Sequence, residues 1–416
     1  MKIPKLKKPV VRFPEFGDNW HDACLGDYLE FRNGFNAEKS QYGTGTKFIN
    51  VLDIINDSPI TYDSIIGKVR MSNAEVKNYE VRFGDILFQR SSETREEVGQ
   101  SNVYLDKNHN ATFGGFVIRG TAKQSYDPLF LHYLLKTASA RKDITSRSGG
   151  STRYNIGQES LKEVRVLLPT EPEQKKMAAF LSAVDERISQ IISKRALLLQ
   201  YKKGVMQQLF EQKIRFRADD GNDFPDWKEQ SLSALLREHK IRNSDTQVVE
   251  VFSVAKNSGV INQLEHLGRS YAAEDTSNYN VVLPGDIVYT KSPTSEFPYG
   301  IIKQNKTGRT GIVSVLYAVF TPKTTQLGCL LDYYFSSCVK TYNYLNPIVQ
   351  KGAKNTINIG NDDFLTGKKI SLPTSSCEID KVVRFLSALD EKIVLFEREL
   401  EKSKVFRNGL LQQMFV

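Results

Sequence analysis

The sequence predicts an α+β protein in which two pseudo-symmetric globular α/β domains are separated by a pair of long antiparallel coiled-coil helices. Three observations predict it. The second half of the chain echoes the first, each echo ends in a long heptad-spaced segment almost free of glycine and proline, and each half carries short β-rich runs broken by turn signals. A chain of 416 residues is also too long for one ordinary core.

The strongest echo is Phe180-Leu181-Ser182-Ala183-Val184-Asp185-Glu186-Arg187-Ile188, which returns as Phe385-Leu386-Ser387-Ala388-Leu389-Asp390-Glu391-Lys392-Ile393. At the same offset, Gly204-Val205-Met206-Gln207-Gln208-Leu209-Phe210 returns as Gly409-Leu410-Leu411-Gln412-Gln413-Met414-Phe415. Leu168-Pro169-Thr170 and Leu372-Pro373-Thr374 precede the two segments. Weaker echoes lie upstream: Gly84-Asp85-Ile86 with Gly285-Asp286-Ile287, Asn155-Ile156-Gly157 with Asn358-Ile359-Gly360, and Phe13-Pro14 before Trp20 with Phe224-Pro225 before Trp227. The organisation that follows is an arm (1–20), a globular domain (21–168), a helix (171–210), a linker (211–224), a second globular domain (225–372) and a C-terminal helix (375–416).

Glu173 to Phe210 contains no proline and one glycine, Gly204. Leu181, Val184, Ile188, Ile191, Leu198, Val205 and Leu209 follow the three-and-four spacing of a coiled-coil seam, interrupted by Arg195 and Lys202. Leu386, Leu389, Ile393, Phe396, Leu400, Leu410 and Met414 repeat it, interrupted by Ser403 and Arg407. About 38 residues at roughly 1.5 Å each make a rod of about 57 Å. Each stripe needs a partner, and the other copy is the natural one. The polar interruptions either set register or lie on an exposed flank, register being the favoured expectation; pairing with another protein's helices competes with pairing between the copies.

The globular segments read as short strands, among them Lys47–Leu52, Ile86–Phe88, Phe116–Arg119, Val248–Val254 and Ile312–Phe320, with helices over Pro128–Ala140 and Leu330–Tyr344. Polar, basic loops fall in matching places. Gln89, Arg90, Ser91 and Arg95 follow the first Gly-Asp-Ile strand; Lys291, Ser292 and Thr294 follow the second. Arg147, Ser151, Thr152, Arg153 and Asn155 form a later loop, echoed by Lys351, Lys354, Asn355 and Thr356. Arg, Lys, Gln and Asn carry the donors and acceptors that read base edges, and Ser, Thr and loop amides suit phosphate. Any one of these residues reads equally as a solvated loop position; the four loops as a set point to DNA. The surplus of 57 Lys and Arg over 48 Asp and Glu, a net +9, suits a polyanion and equally serves solubility.

Several chemistries lack their residues. Cys24, Cys329, Cys338 and Cys377 form no Cys-x-x-Cys pair, which argues for a reduced, cytoplasmic setting. His21, His109, His132, His239 and His266 show no metal-ligand spacing. No Asn-Pro-Pro-Tyr or Asp-Pro-Pro-Tyr box occurs, and Gly43-Thr44-Gly45-Thr46-Lys47 lacks phosphate-loop spacing. No stretch approaches a membrane span or a signal core, so no membrane partner is expected.

With these residues in view, the chain resembles the specificity subunits of type I restriction–modification systems. The resemblance rests on the Leu-Pro-Thr step into Phe180–Ile188, the Gln207-Gln208-Leu209-Phe210 and Gln412-Gln413-Met414-Phe415 ends, and Arg12-Phe13-Pro14-Glu15-Phe16 before Trp20. It departs at Arg153, where such subunits often carry glutamine, and the loop before Ile359 is one residue longer than its counterpart. The resemblance implies that 21–168 and 225–372 are target-recognition domains, each reading one half of a bipartite DNA target. It further implies that the helices set the spacing and dock two DNA methyltransferase subunits, with motor–nuclease subunits completing the complex. No cofactor is then expected on this chain; S-adenosylmethionine, and ATP with Mg, belong to the partners. The chain itself would be non-catalytic. The specificity subunit of a type II two-part system, a DNA-modifying enzyme with an unrecognised site, and a coiled-coil scaffold are the other readings.

Overall fold

A Gly-Asp-Ile step launches the central strand in each half. Gly84 and Gly285 hold φ of 90° and 89°, a region that L side chains avoid. The following aspartate folds back on its own turn: Asp85 accepts the Arg82 N–H at 2.9 Å and Asp286 accepts the Leu283 N–H at 2.8 Å. Burial raises both carboxyls above their ordinary range. Ile86–Gln89 and Ile287–Thr290 then run fully buried through their cores.

The structure, a computed structural model, describes residues 8–351 and 357–416. It divides into two units, the residues up to Lys194 together with Phe396–Val416, and Arg195–Leu395. The first unit holds a four-stranded antiparallel sheet in the order Leu29–Asn33, Val117–Ala122, Ile86–Gln89, Ser101–Val103. The second repeats it as Leu236–Glu238, Tyr317–Pro322, Ile287–Thr290, Ile301–Gln304. In each, a two-stranded ribbon closes the base, His21–Cys24 with Arg165–Leu168 and Lys228–Gln230 with Ile370–Leu372. The fold is thus α+β with two pseudo-symmetric units.

Tertiary structure breaks two kinds of run that the sequence reads as single. Ile312–Phe320 is two strands, Gly311–Val313 and Tyr317–Pro322, with a turn between. Each predicted helix after the sheet is a pair, Pro128–Leu135 with Ala138–Ser146 and Thr325–Phe335 with Cys338–Leu345. The break is a new N-cap in each unit: Thr137 accepts the Ala140 N–H and Ser337 accepts the Lys340 N–H, both at 3.4 Å. Similarly, Lys47–Leu52 ends as strand at Ile49, because Asn50 caps a short helix, Val51–Ile54. Only the last part of Val248–Val254 is strand, Phe252–Ala255.

The described part of the segment read as an arm, residues 8–20, and the segment read as a linker are straps held against the units. Arg12 donates two hydrogen bonds of 2.7 Å to Glu173, which also accepts from Trp20 Nε1 at 3.3 Å. Arg215 donates to Glu378 at 3.0 and 2.9 Å, and Trp227 Nε1 joins at 3.0 Å. Both carboxylates are 1% exposed. The sequence matches Phe13 with Phe224, and the structure corrects this by dividing the role. Phe13 meets Phe180 edge-on at 5.9 Å and lies under Lys176; in the other unit Phe216 meets Phe385 at 5.6 Å and Phe224 lies under Lys381.

The long helices are Glu171–Phe210, of 40 residues, and Ser376–Gln413, of 38. Inside the first unit, Arg187 pairs with Glu399 at 2.6 Å and Asp185 pairs with Arg407, so the two helices run antiparallel there. Inside the second, Lys202 pairs with Asp390. Two of the four polar interruptions, Lys202 and Arg407, therefore occupy equivalent positions and reach equivalent aspartates. Those aspartates also tie in the globular helices, accepting the Tyr133 and Tyr333 hydroxyls at 2.8 Å. The helix ends are core pieces. Phe415 packs on Trp20 and Phe130 with centroids at 6.2 and 5.4 Å; Phe210 packs on Trp227 and Tyr334 at 6.4 and 5.4 Å. Among the described residues, no helix is long and apolar enough to cross a membrane.

Candidate nucleic-acid interface

In the first unit the two polar loops meet. The chain leaving Ile86–Gln89 forms a second short strand, Ser91–Ser92, which pairs antiparallel with Tyr154–Asn155. Ser91 Oγ donates to Asn155 Oδ1 at 2.5 Å, and the Ile156 N–H donates to the Arg90 carbonyl at 3.0 Å. The result is a cleft of about 510 Å³ lined by Asn33, Arg90, Asn155, Gln158 and Glu159. A guanidinium and three side-chain amides on one surface supply the donor and acceptor set that base edges require.

The predicted residues fall into three groups by what they touch. Ser151, Thr152 and Arg153 lie exposed on the loop before the paired strand. Arg90, Arg95 and Asn155 are held through backbone carbonyls: Arg90 Nη1 donates to Gly115 at 3.3 Å, Arg95 Nε to Thr145 at 3.3 Å, and Asn155 Nδ2 to Arg153 at 3.1 Å. Gln89 and Arg147 are engaged in the fold. Gln89 is 5% exposed and donates to the Ser91 carbonyl at 2.9 Å, while Arg147 bridges Asp143 and Glu163 at 3.2 and 2.9 Å.

The second unit links the corresponding places through side chains. Lys291, the counterpart of Arg90, donates from Nζ to Asn361 Oδ1 at 3.1 Å, and Asn361 donates to Glu238 at 2.8 Å. Burial lowers the Lys291 ammonium below its ordinary range, against the pull of Glu238. Ser292 and Thr294 are exposed beside it, Thr294 Oγ1 accepting the Phe297 N–H at 3.1 Å. Gln350–Lys351 pairs with Ile357–Asn358. Lys354, Asn355 and Thr356 lie outside the described residues, and only the backbone of Lys351 is described.

Sequence reasoning passed over Gln158 and Asn361. Each stands directly after the Asn-Ile-Gly step, at the first position of a short helix, Gln158–Lys162 and Asn361–Thr366. The signal was present, because an amide follows the glycine in both copies. Among the described residues no cluster of His, Cys, Asp and Glu could hold a metal ion.

Comparison with known proteins bears on the first unit by sequence and on the whole chain by fold. Residues 17–199 match the family model described as the type I restriction modification DNA specificity domain, so the first unit carries such a domain. A curated protein of Methanocaldococcus jannaschii, described as the specificity subunit of type I restriction enzyme MjaX, is 28% identical over 224 residues. That match spans 51% of this chain and 52% of the relative. The fold likeness extends over almost everything. The crystal structure of the S subunit from M. genitalium covers 98% of this chain and 99% of its own, at TM-score 0.57 and 15% identity. A second structure, from work on complex assembly and conformational transition of the type I R-M system, covers 95% and 97% at TM-score 0.53 and 14% identity. Residues 17–199 thus belong to the type I restriction modification DNA specificity domain family, and over the whole chain the likeness to S subunits is one of fold.

Proposed function

We propose that this chain is the non-catalytic DNA reader of a type I restriction–modification complex, each unit reading one half of a bipartite target. The observation that carries this reading is a feature common to both units. In both units the residue after the Gly-Asp-Ile strand is a cation, Arg90 or Lys291, placed beside the loop that ends in Asn-Ile-Gly-amide. The two copies share their framework and differ in the side chains presented, which is what two unlike half-sites demand.

The long helices set the gap between half-sites and dock two methyltransferase subunits. Apolar side chains left on their surfaces support docking: Ile192, Val405 and Phe406 in one unit, and Leu197, Tyr201 and Leu395 in the other, are between 47% and 64% exposed. S-adenosylmethionine chemistry belongs to those partners, and ATP with Mg to the motor–nuclease subunits. The test is methylome sequencing of cells carrying the system. We expect a split motif, a change in one half only when residues 21–168 are exchanged, and a changed gap when one heptad is removed between Ile188 and Leu209. An undivided motif, or an exchange that alters both halves, refutes the reading.

A further inference from the structure

Each junction carries a bulky apolar side chain that packing does not explain. In the first unit it is Phe116, 61% exposed, in the turn between Thr112–Phe113 and Val117–Ala122. In the second it is Leu316, 71% exposed, in the turn between Gly311–Val313 and Tyr317–Pro322. Both turns lead into the strand beside the Gly-Asp-Ile strand, so both tips arrive next to the candidate reading loop. The Arg90 N–H donates to the Phe116 carbonyl at 2.8 Å, and Arg90 Nη1 reaches Gly115. In the other unit Tyr317 pairs with Thr290, which places Leu316 next to the residues that pair with the step into Lys291. Phe116 also borders an apolar pocket of about 250 Å³ shared with Tyr42, Phe48, Val51 and Leu52.

An apolar side chain beside a cation gains nothing from phosphate. Among the groups that DNA presents in its major groove, one is apolar, the 5-methyl of thymine. We propose that Phe116 and Leu316 are specificity-determining residues that each bury a thymine methyl group, one in each half-site. The neighbouring cation and amides read the polar edges, and the tip supplies the apolar contact. This rests on the DNA-reading function proposed above.

The test uses the full chain in complex with its methyltransferase subunits, on its target duplex and on duplexes in which each thymine in turn is replaced by deoxyuridine. Removing the methyl of one thymine in the half-site read by the first unit should weaken wild-type binding about fourfold, the worth of burying one such group. The same replacement should leave Phe116→Ala binding unchanged, while that variant keeps its full response in the other half-site, which reports an intact fold. Leu316→Ala should show the reverse pattern. A half-site without thymine overturns the proposal. So does a Phe116→Ala variant that binds as wild type, or one that binds weakly yet responds to deoxyuridine as wild type does, the behaviour of a wedge or a packing residue. Absence of any sequence-selective binding by the wild-type complex would instead overturn the DNA-reading function itself.

Discussion

Removing Arg12 should expose how much the strap contributes. Glu173 is 1% exposed, and its charge is compensated by two bonds from Arg12 and one from Trp20. Arg12→Ala leaves that carboxylate buried without a countercharge, a change that costs about 3–5 kcal/mol. With a urea m-value of about 2 kcal/mol/M, the midpoint of the first unit should fall by roughly 2 M. The chain has only two tryptophans, Trp20 and Trp227, one in each clamp. In a Trp227→Phe background, tryptophan fluorescence therefore follows the first unit alone. Replacing both charged partners, Arg12→Met with Glu173→Leu, should recover most of the loss, because no charge is then left buried. A midpoint shift worth less than about 1 kcal/mol for Arg12→Ala, or a double variant as weak as the single, would refute the argument.

Two further outcomes follow from buried and seam charges. His132 is 1% exposed, and burial, reinforced by Lys136 and Arg407, holds its pKa well below 6.5. The unfolded chain takes up a proton that the folded unit refuses, so the first unit should lose stability as pH falls below 6.5, by up to about 1.4 kcal/mol per pH unit. At the equivalent helix position the second unit has Asp332. Burial alone would raise it, yet Lys303 and Lys306 hold it below 3.8, so its loss should begin only below that pH. Urea midpoints read between pH 7.5 and 5.5, roughly one unit either side of the imidazole range, should slope for Trp20 and stay flat for Trp227, and His132→Leu should flatten the first. In the seam, Lys202→Glu should weaken the second unit by about 1 kcal/mol, and adding Asp390→Lys should restore it. Thermal unfolding of both variants measures this; a double variant no better than the single would dismiss the pair.

The architecture was legible because its signals are long. The duplicated Phe180–Ile188 segment and the heptad stripe each span several turns, so chance and local propensity cannot mimic them. Short elements were legible only in part. Nothing in the composition of Pro128–Ala140 says that Thr137 will cap a new helix instead of continuing the old one. The strap role of Arg215 and Phe216 was hidden because their partners, Glu378 and Phe385, lie far along the sequence. For the candidate interface, the sequence singled out the loops but could not separate Gln89, buried, from Arg153, exposed. That distinction depends on strand direction at the junction, which only the fold supplies.

The two cores close at different times during synthesis. The second unit occupies an unbroken stretch, Arg195–Leu395, whereas Met414 and Phe415 complete the core around Trp20 and Phe130 in the first. On the ribosome, the earlier segment must wait for the later one to emerge, about two hundred residues behind, or roughly 10–40 s at ordinary elongation rates. The half translated second can finish folding first, and the half translated first keeps an aromatic face open to solvent, and to chaperones, until Met414 and Phe415 have emerged.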